Sequence, residues 1–310
     1  MDQAELRKVA QQLPPLRTAG NRIVNAQTGH AILLRGINRS GFEYNSCADI
    51  PEAELDHIAS WGANIVRLPF NQDWALGSEA YREALDRVIA MAAARGMYTL
   101  LDLQWLDAVT PRGTLKNGRT NFVPPLPDLH SVELWRLLAA RYREIPAVLY
   151  DIFNEPHDPL PDDPLRLAGI RRIGRRIWHA WAARLVAAIR GENARALIFI
   201  SGLDWGYDLS SFPLNGIENV VYSSHVYPHK KKTWEQAFGK PSRTHPVFIG
   251  EWGGTGADLL WGRQLVDYFD RLELGWTAWS WCDHPHLVKS GEPTAFGKLV
   301  RARLLLESVS

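Results

Sequence analysis

The sequence predicts an α/β fold, a TIM-type (β/α)8 barrel that occupies 1–310 as a single domain. Eight apolar, β-rich runs carry that reading: AILLRGIN, NIVRLPF, YTLLDLQW, AVLYDIFN, ALIFIS, VVYSSHVY, PVFIGEW and WTAWSWC. Helix-period segments separate most of them, the mark of βα units wound around a parallel sheet. Length agrees, since such a barrel needs about 250 residues and 310 leave room for long loops. Polar and aromatic groups gather where the runs end, on the rim where barrels of this kind build their sites.

Taken in order, the stretch 22–34, turning at Thr28-Gly29, reads as a short hairpin covering the bottom of the barrel. Helical periodicity is clearest over 78–95, 131–143, 165–190 and 258–274. The fifth connection, 202–219, carries Gly, Pro and Asn and no helical pattern. Connections 110–128 and 158–164 are rich in proline and glycine and follow strands, so they read as site-building loops rather than linkers. Two basic runs, RRIGRR at 171–176 and the lysines at 230–232, read as solvated surface.

Lysine plus arginine number 35 and aspartate plus glutamate 34, a formal charge of +1 that argues against nucleic acid or an anionic membrane as partner. No run approaches the ~18 apolar residues of a membrane span. The start, MDQAELRKVAQQLPPL, lacks the apolar core of a secretory signal, which points to a cytoplasmic protein or a trimmed mature form. The only two cysteines, Cys47 and Cys282, have no metal-ligand spacing, so neither a metal nor another cofactor is expected. Cys47 lies in the loop after the first run and Cys282 closes the eighth, and these runs are neighbours in a closed barrel. A Cys47–Cys282 disulfide is therefore an expectation, and oxidation there would imply export. Thirteen tryptophans are many for this length, and tryptophan at strand ends stacks on the flat faces of sugar rings.

Two strings say most about chemistry. In VLYDIFNEP and VFIGEWG, Glu155 and Glu251 sit where a buried strand gives way to a loop. Two glutamates aimed into one cleft suit glycosidic bond cleavage: one protonates the leaving oxygen while the other attacks or stabilises the sugar. The acid needs apolar or anionic neighbours to hold its proton. Arg67 or the Tyr227 hydroxyl would hydrogen-bond the nucleophile. Asn154 is placed for the sugar 2-hydroxyl if the strand ends or bulges before Glu155, because strict alternation would point these neighbours apart. His225 and Tyr227, two apart, share a face. Trp281 is the expected stacking floor, and Gln104, Trp105, Trp74, Trp205, Trp252 and His157 are candidate substrate contacts. Trp74, Trp105, Trp205 and Trp252 read equally well as core. The string DHPH, with His284 and His286, reads as an active-site loop rather than a metal site.

The strings LLRGINRSGFEYN, GANIVRLPF, LLDLQW, VLYDIFNEPH, SSHVYPH, VFIGEWGG, TAWSWCD and PTAFGKLV run in order through most of the chain. On them it resembles the cellulase-like glycoside hydrolases of family 5. The resemblance implies a retaining barrel with Glu155 as acid/base and Glu251 as nucleophile, the site completed by Arg67, Asn154, His225, Tyr227 and Trp281. The chain departs at Gln104, where the family usually carries histidine; glutamine keeps the hydrogen bonding and loses the charge. Within the family the expected activity is that of an endo-β-1,4-glucanase, a monomer acting on a β-linked oligo- or polysaccharide. A secreted or periplasmic location fits that substrate. Exo-acting β-glucosidase or β-mannosidase, mannanase and transglycosylase are alternatives. From other classes come a non-catalytic carbohydrate-binding barrel and a metal-dependent hydrolase using His225, Asp283, His284 and His286.

Overall fold

Alternation inside eight short strands decides the architecture. The computed structural model describes all residues except 1–5, 7, 9–11, 111–113, 117–122, 215 and 307–310. Its strands are Arg35–Asn38 (β1), Ile65–Asn71 (β2), Tyr98–Trp105 (β3), Val148–Asp151 (β4), Ile198–Ser201 (β5), Val220–Val226 (β6), Val247–Trp252 (β7) and Gly275–Ala278 (β8). All pair in parallel in chain order, and β8 returns to β1 with Trp276 opposite Arg35, so the barrel closes without an edge.

Inward positions are layered. Leu34, Ile65, Leu100, Leu149, Phe199, Val221 and Phe248 form an apolar plug, floored by Leu16 and Ile23. Two residues further along the same strands the inward groups turn polar: Arg67, Asp102, Asp151, Ser201 and Ser223, all fully buried. The period of two thus stacks a charged layer on an apolar one and leaves the next layer facing the rim.

Helices cover the outside: Glu52–Ser60 (α1), Gln72–Gly77 (α2), Glu79–Ala93 (α3), Leu129–Arg141 (α4), Pro164–Leu167 (α5), Arg175–Glu192 (α6), Leu259–Leu272 (α7) and Ala295–Leu305 (α8). In α3, Tyr81, Leu85, Val88, Ile89 and Ala92 are buried, the spacing of one helical stripe. Capping side chains set the starts: Ser78 accepts from the Tyr81 amide, and Asp128 with Ser131 forms a capping box on α4.

Several expectations need correction. The turn at Thr28-Gly29 exists, with Val24 bridged to Ala31, but the regular ladder pairs Leu16–Ala19 with Arg22–Asn25 and begins earlier than 22. The helix expected over 165–190 is broken between α5 and α6, because Gly169 adopts φ +90° and ends the first segment. Arg171 and Arg172 of the RRIGRR run therefore lie outside any helix, exposed as expected, while Ile173 is buried. Both cysteines are free thiols: Cys47 is exposed, whereas Cys282 donates to the Ser40 carbonyl at 3.2 Å and lies against the Arg39 guanidinium. Much of the 110–128 connection lies outside the described residues. Among the described residues the fifth connection has no helix, and no helix is long and apolar enough to cross a membrane.

Two predictions follow from this packing. An added Cβ at Gly36 would stand 1.7 Å from the Ile65 carbonyl oxygen. Gly36→Ala should therefore cost about 3 kcal/mol in urea unfolding; a loss under about 1 kcal/mol would mean that β1 and β2 are not so closely packed. Ellman's reagent should find two thiols in unfolded, never-reduced protein; none would restore the disulfide.

Candidate active site

The rim layer is organised around one guanidinium. Arg67 projects from β2 into the barrel, fully buried, and meets acceptors from four other segments. Its Nε donates to Asp151 at 3.0 Å, its Nη1 to Asn38 and Glu251 at 2.9 Å each, and its Nη2 to Asn154 at 2.9 Å. Nη2 also lies 3.0 Å from Asp102. Burial opposes its charge, but Asp102, Asp151 and Glu251 more than offset that, and its pKa is raised. The same crowding acts on the acids. Burial first, then Asp151 and Glu251, push Asp102 well above the usual carboxylate range, against the pull of Arg67. Asp151 is pushed up to about 6 by burial, again against Arg67.

Glu251 is brought inward by an irregularity. Register shifts on both sides of β7, against β6 between Ser224 and His225 and against β8 between Trp276 and Ala278. Gly250 makes this possible, since a Cβ there would stand 2.4 Å from Ser223 Oγ. Glu251 Oε1 then accepts from Arg67 and Oε2 from Tyr227 at 2.8 Å. Glu155 arrives differently. Strand β4 ends at Asp151, and the chain then bends so that adjacent Asn154 and Glu155 both reach the cleft layer. Glu155 Oε1 lies 3.0 Å from His225 Nδ1, and that nitrogen is 3.8 Å from Glu251 Oε1. Burial raises Glu155 to about 7, although Lys230, Arg67 and His229 pull it down. Burial also lowers His225 to about 3, so its imidazole is neutral at ordinary pH.

The cleft above them, of about 720 Å³, is lined by Gln104, Asp204, Trp205, Lys230, Trp279 and His284 together with the two glutamates and Tyr227. Size alone does not select it. A concavity of about 740 Å³ lies at the opposite end of the barrel, but its Arg190 is committed to the carbonyls of Ala196 and Asn219. Three buried polar atoms of the cleft layer have no protein partner: Asn154 Nδ2, Gln104 Oε1 and His225 Nε2. Such atoms are costly unless something binds them.

The aromatic expectations divide. Trp205 lines the cleft, stacked face to face on His157 at 3.5 Å and 9°. His157 itself is buried beneath, its Nδ1 2.7 Å from the Glu155 carbonyl oxygen, so it supports a platform rather than facing the cleft. Trp252 is a correction: alternation past the bulge turns it outward, fully buried against Phe269, Trp276 and Phe296. Trp281 is another, packed on Trp61 and His57 behind the rim, while Trp279, two residues earlier, takes the cleft position. Trp74 packs against Tyr81 and the core, and Trp105 stands beside Tyr44; neither is among the residues lining the cleft. Asn38, Asp102 and Asp151 were missed; a charge inside an apolar strand, as in LLDLQW and LYDIF, was the signal for the two aspartates.

Glu155, His225 and Glu251 each offer one ligand atom within 4.8 Å of the others, the one such grouping among the described residues. A cation there would face the Arg67 guanidinium, 2.9 Å from Glu251, and the arrangement suits organic acid–base chemistry better. His284 lines the cleft with its ring 6.1 Å from that of His286, apart from this grouping.

Residues 26–285 match the model of the family described as Cellulase (glycosyl hydrolase family 5). Endoglucanase E-5 of Thermobifida fusca is 24% identical over 89% of this chain, and an endoglucanase of a Microbulbifer species is 24% identical over 86%. The chain spans 60% and 51% of the lengths of these two relatives. The same fold is seen in a β-glucanase from Saccharophagus degradans solved with cellotetraose, with a TM-score of 0.79 and 21% identity over 97% of this chain and 95% of that one. The chain belongs to the cellulase family of glycosyl hydrolases, family 5.

Proposed function

We propose that the chain is a retaining endo-β-1,4-glucanase, working as a monomer on β-linked glucan. The observation that carries this reading is the spacing of the two glutamates, whose nearest carboxyl oxygens fall within 4.8 Å. Carboxyls roughly 5–5.5 Å apart suit attack by one of them on the sugar, whereas inversion needs about 6.5–9.5 Å to seat a water. Relatives named as endoglucanases, and a neighbour that binds cellotetraose, support the polymer class.

In this reading Glu251, held by Arg67 and Tyr227, attacks the anomeric carbon. The glycosidic C–O bond breaks as Glu155 gives its proton to the leaving oxygen. Water then attacks the glycosyl ester, passes a proton to Glu155 and releases Glu251 as carboxylate. The unpartnered Asn154 Nδ2 suits the sugar 2-hydroxyl, and Gln104 Oε1 accepts from a neighbouring hydroxyl. Trp279 lies on the nucleophile side, its amide bonded to the Trp252 carbonyl at 2.8 Å, and serves as the floor for the reacting sugar.

Reducing-sugar release from carboxymethyl cellulose, lichenan, xyloglucan, mannan and xylan identifies the polymer, with cellulose and lichenan expected to respond. Glu155→Gln should lower kcat/KM on these by at least about 100-fold yet spare kcat/KM on dinitrophenyl β-cellobioside, whose leaving group needs no proton. Glu251→Gln should abolish both activities; full turnover in that variant would overturn the assignment. Glu155 acts protonated, so activity is present below its pKa of about 7 and is lost as pH rises through it. A kcat/KM profile still flat at pH ~9 would exclude Glu155 as the acid.

A further inference from the structure

The turn that carries Trp205 has an unusual backbone. Asp204, Trp205 and Gly206 adopt φ of +55°, +60° and +73°, three left-handed residues in succession. A large side chain holds that conformation only where its surroundings enforce it. Gly206 suits its place, since an added Cβ would stand 2.8 Å from the His225 ring. The Trp205 amide donates to the Pro156 carbonyl at 3.1 Å, which ties the turn to the segment bearing Glu155. His157 lies flat beneath the indole.

The remaining restraint comes from the basic run at 230–232. Lys230 is half-buried; its Nζ donates to the Asp204 carbonyl at 2.6 Å, lies 3.5 Å from that of Trp205, and sits 5.5 Å from the centre of the Tyr207 ring. Lys232 fixes the far side of the same loop, 2.5 Å from Asp208 and 2.9 Å from Ser210 Oγ. The run is therefore not simply solvated surface. Lys230 and Lys232 clamp the β5 loop, and Lys231 stands exposed on the cleft wall.

We propose that Lys230 is a positioning residue for the leaving-group side of the cleft, holding Trp205 as the platform for the sugar that departs with the proton of Glu155. This rests on the glucanase reading. Trp205 belongs on that side because its turn is bonded to Pro156, next to the acid. Lys230 also bears on Glu155 electrostatically. The charged or titratable groups around that carboxyl are Arg67 from β2, Asp204 from the β5 loop, His225 and Tyr227 from β6 and its end, His229 and Lys230 beyond, and Glu251 from β7. After burial, which raises Glu155, Lys230 is the largest influence and acts in the opposite direction.

Lys230→Met and Lys230→Arg separate the roles, since arginine keeps both the charge and the donors. With Lys230→Met, kcat/KM on cellotetraose should fall about tenfold, the scale of one lost aromatic platform, while that on dinitrophenyl β-cellobioside stays within about threefold. The alkaline limb on cellotetraose should move up by about half a pH unit, because a removed positive charge lets Glu155 keep its proton longer. Lys230→Arg should restore both the rate on cellotetraose and the alkaline limb. Independently of turnover, the His157 ring protons, shifted upfield by the stacked indole, should move downfield in Lys230→Met and not in Lys230→Arg. An unchanged His157 signal in Lys230→Met, or equal losses on both substrates, overturns the proposal. If the wild type cleaves neither substrate, the glucanase reading fails and the His157 signal still decides whether Lys230 positions Trp205.

Discussion

A charged guanidinium buried in a barrel must be surrounded by acceptors, and this requirement organises the cleft end of the molecule. A guanidinium offers five N–H groups in a rigid fork, and Arg67 donates to acceptors on β1, β4, the segment after β4, and β7, with Asp102 of β3 3.0 Å away. Removing one partner of a buried pair typically costs about 3–5 kcal/mol, because the other charge is left uncompensated. The register of five chain segments is thereby tied to one side chain. Asn38 extends the network, since its Nδ2 donates to the carbonyls of Gly250 and Thr277 and holds β1 to β7 and β8.

The same network treats the two glutamates unequally. Glu251 has a donor on each oxygen, Arg67 on one and Tyr227 on the other. Glu155 has only a neutral imidazole within hydrogen-bonding distance, and burial outweighs the pull of Lys230, Arg67 and His229, so it keeps its proton up to about pH 7. One residue type thus meets opposite surroundings at two positions. Asp102 and Asp151 belong to this division as well. Asp151 accepts from Arg67 at 3.0 Å and Asp102 lies 3.0 Å from it, contacts that do not depend on Glu251.

Aromatic groups show how local geometry sorts one residue type into different uses. Trp252 and Glu251 are adjacent, and the bulge at Gly250 that turns the carboxylate inward turns the indole out into the core. Trp279 and Trp281 are separated by the bend after β8, so one lines the cleft while the other packs on Trp61. Trp205 reaches the cleft only through a left-handed turn held from several directions.

The barrel, its eight strands and the two glutamates were legible in the sequence because each depends on local patterning: apolar runs of strand length, carboxylates where those runs end, and ordered motifs. Arg67, Asn154, His225 and Tyr227 were legible for the same reason, and the structure brings Arg67, His225 and Tyr227 against the glutamates and Asn154 against Arg67. What only the tertiary structure decided is whatever depends on a bulge, a bend or a contact between distant loops. Trp252 rather than Glu251 faces the core because one glycine breaks the alternation. Cys282 bonds to the Ser40 carbonyl and not to Cys47, since neighbouring strands do not dictate where their loops go. Lys230 is a clamp rather than a solvated charge because its partners are carbonyls on another loop, and backbone acceptors leave no trace in side-chain sequence.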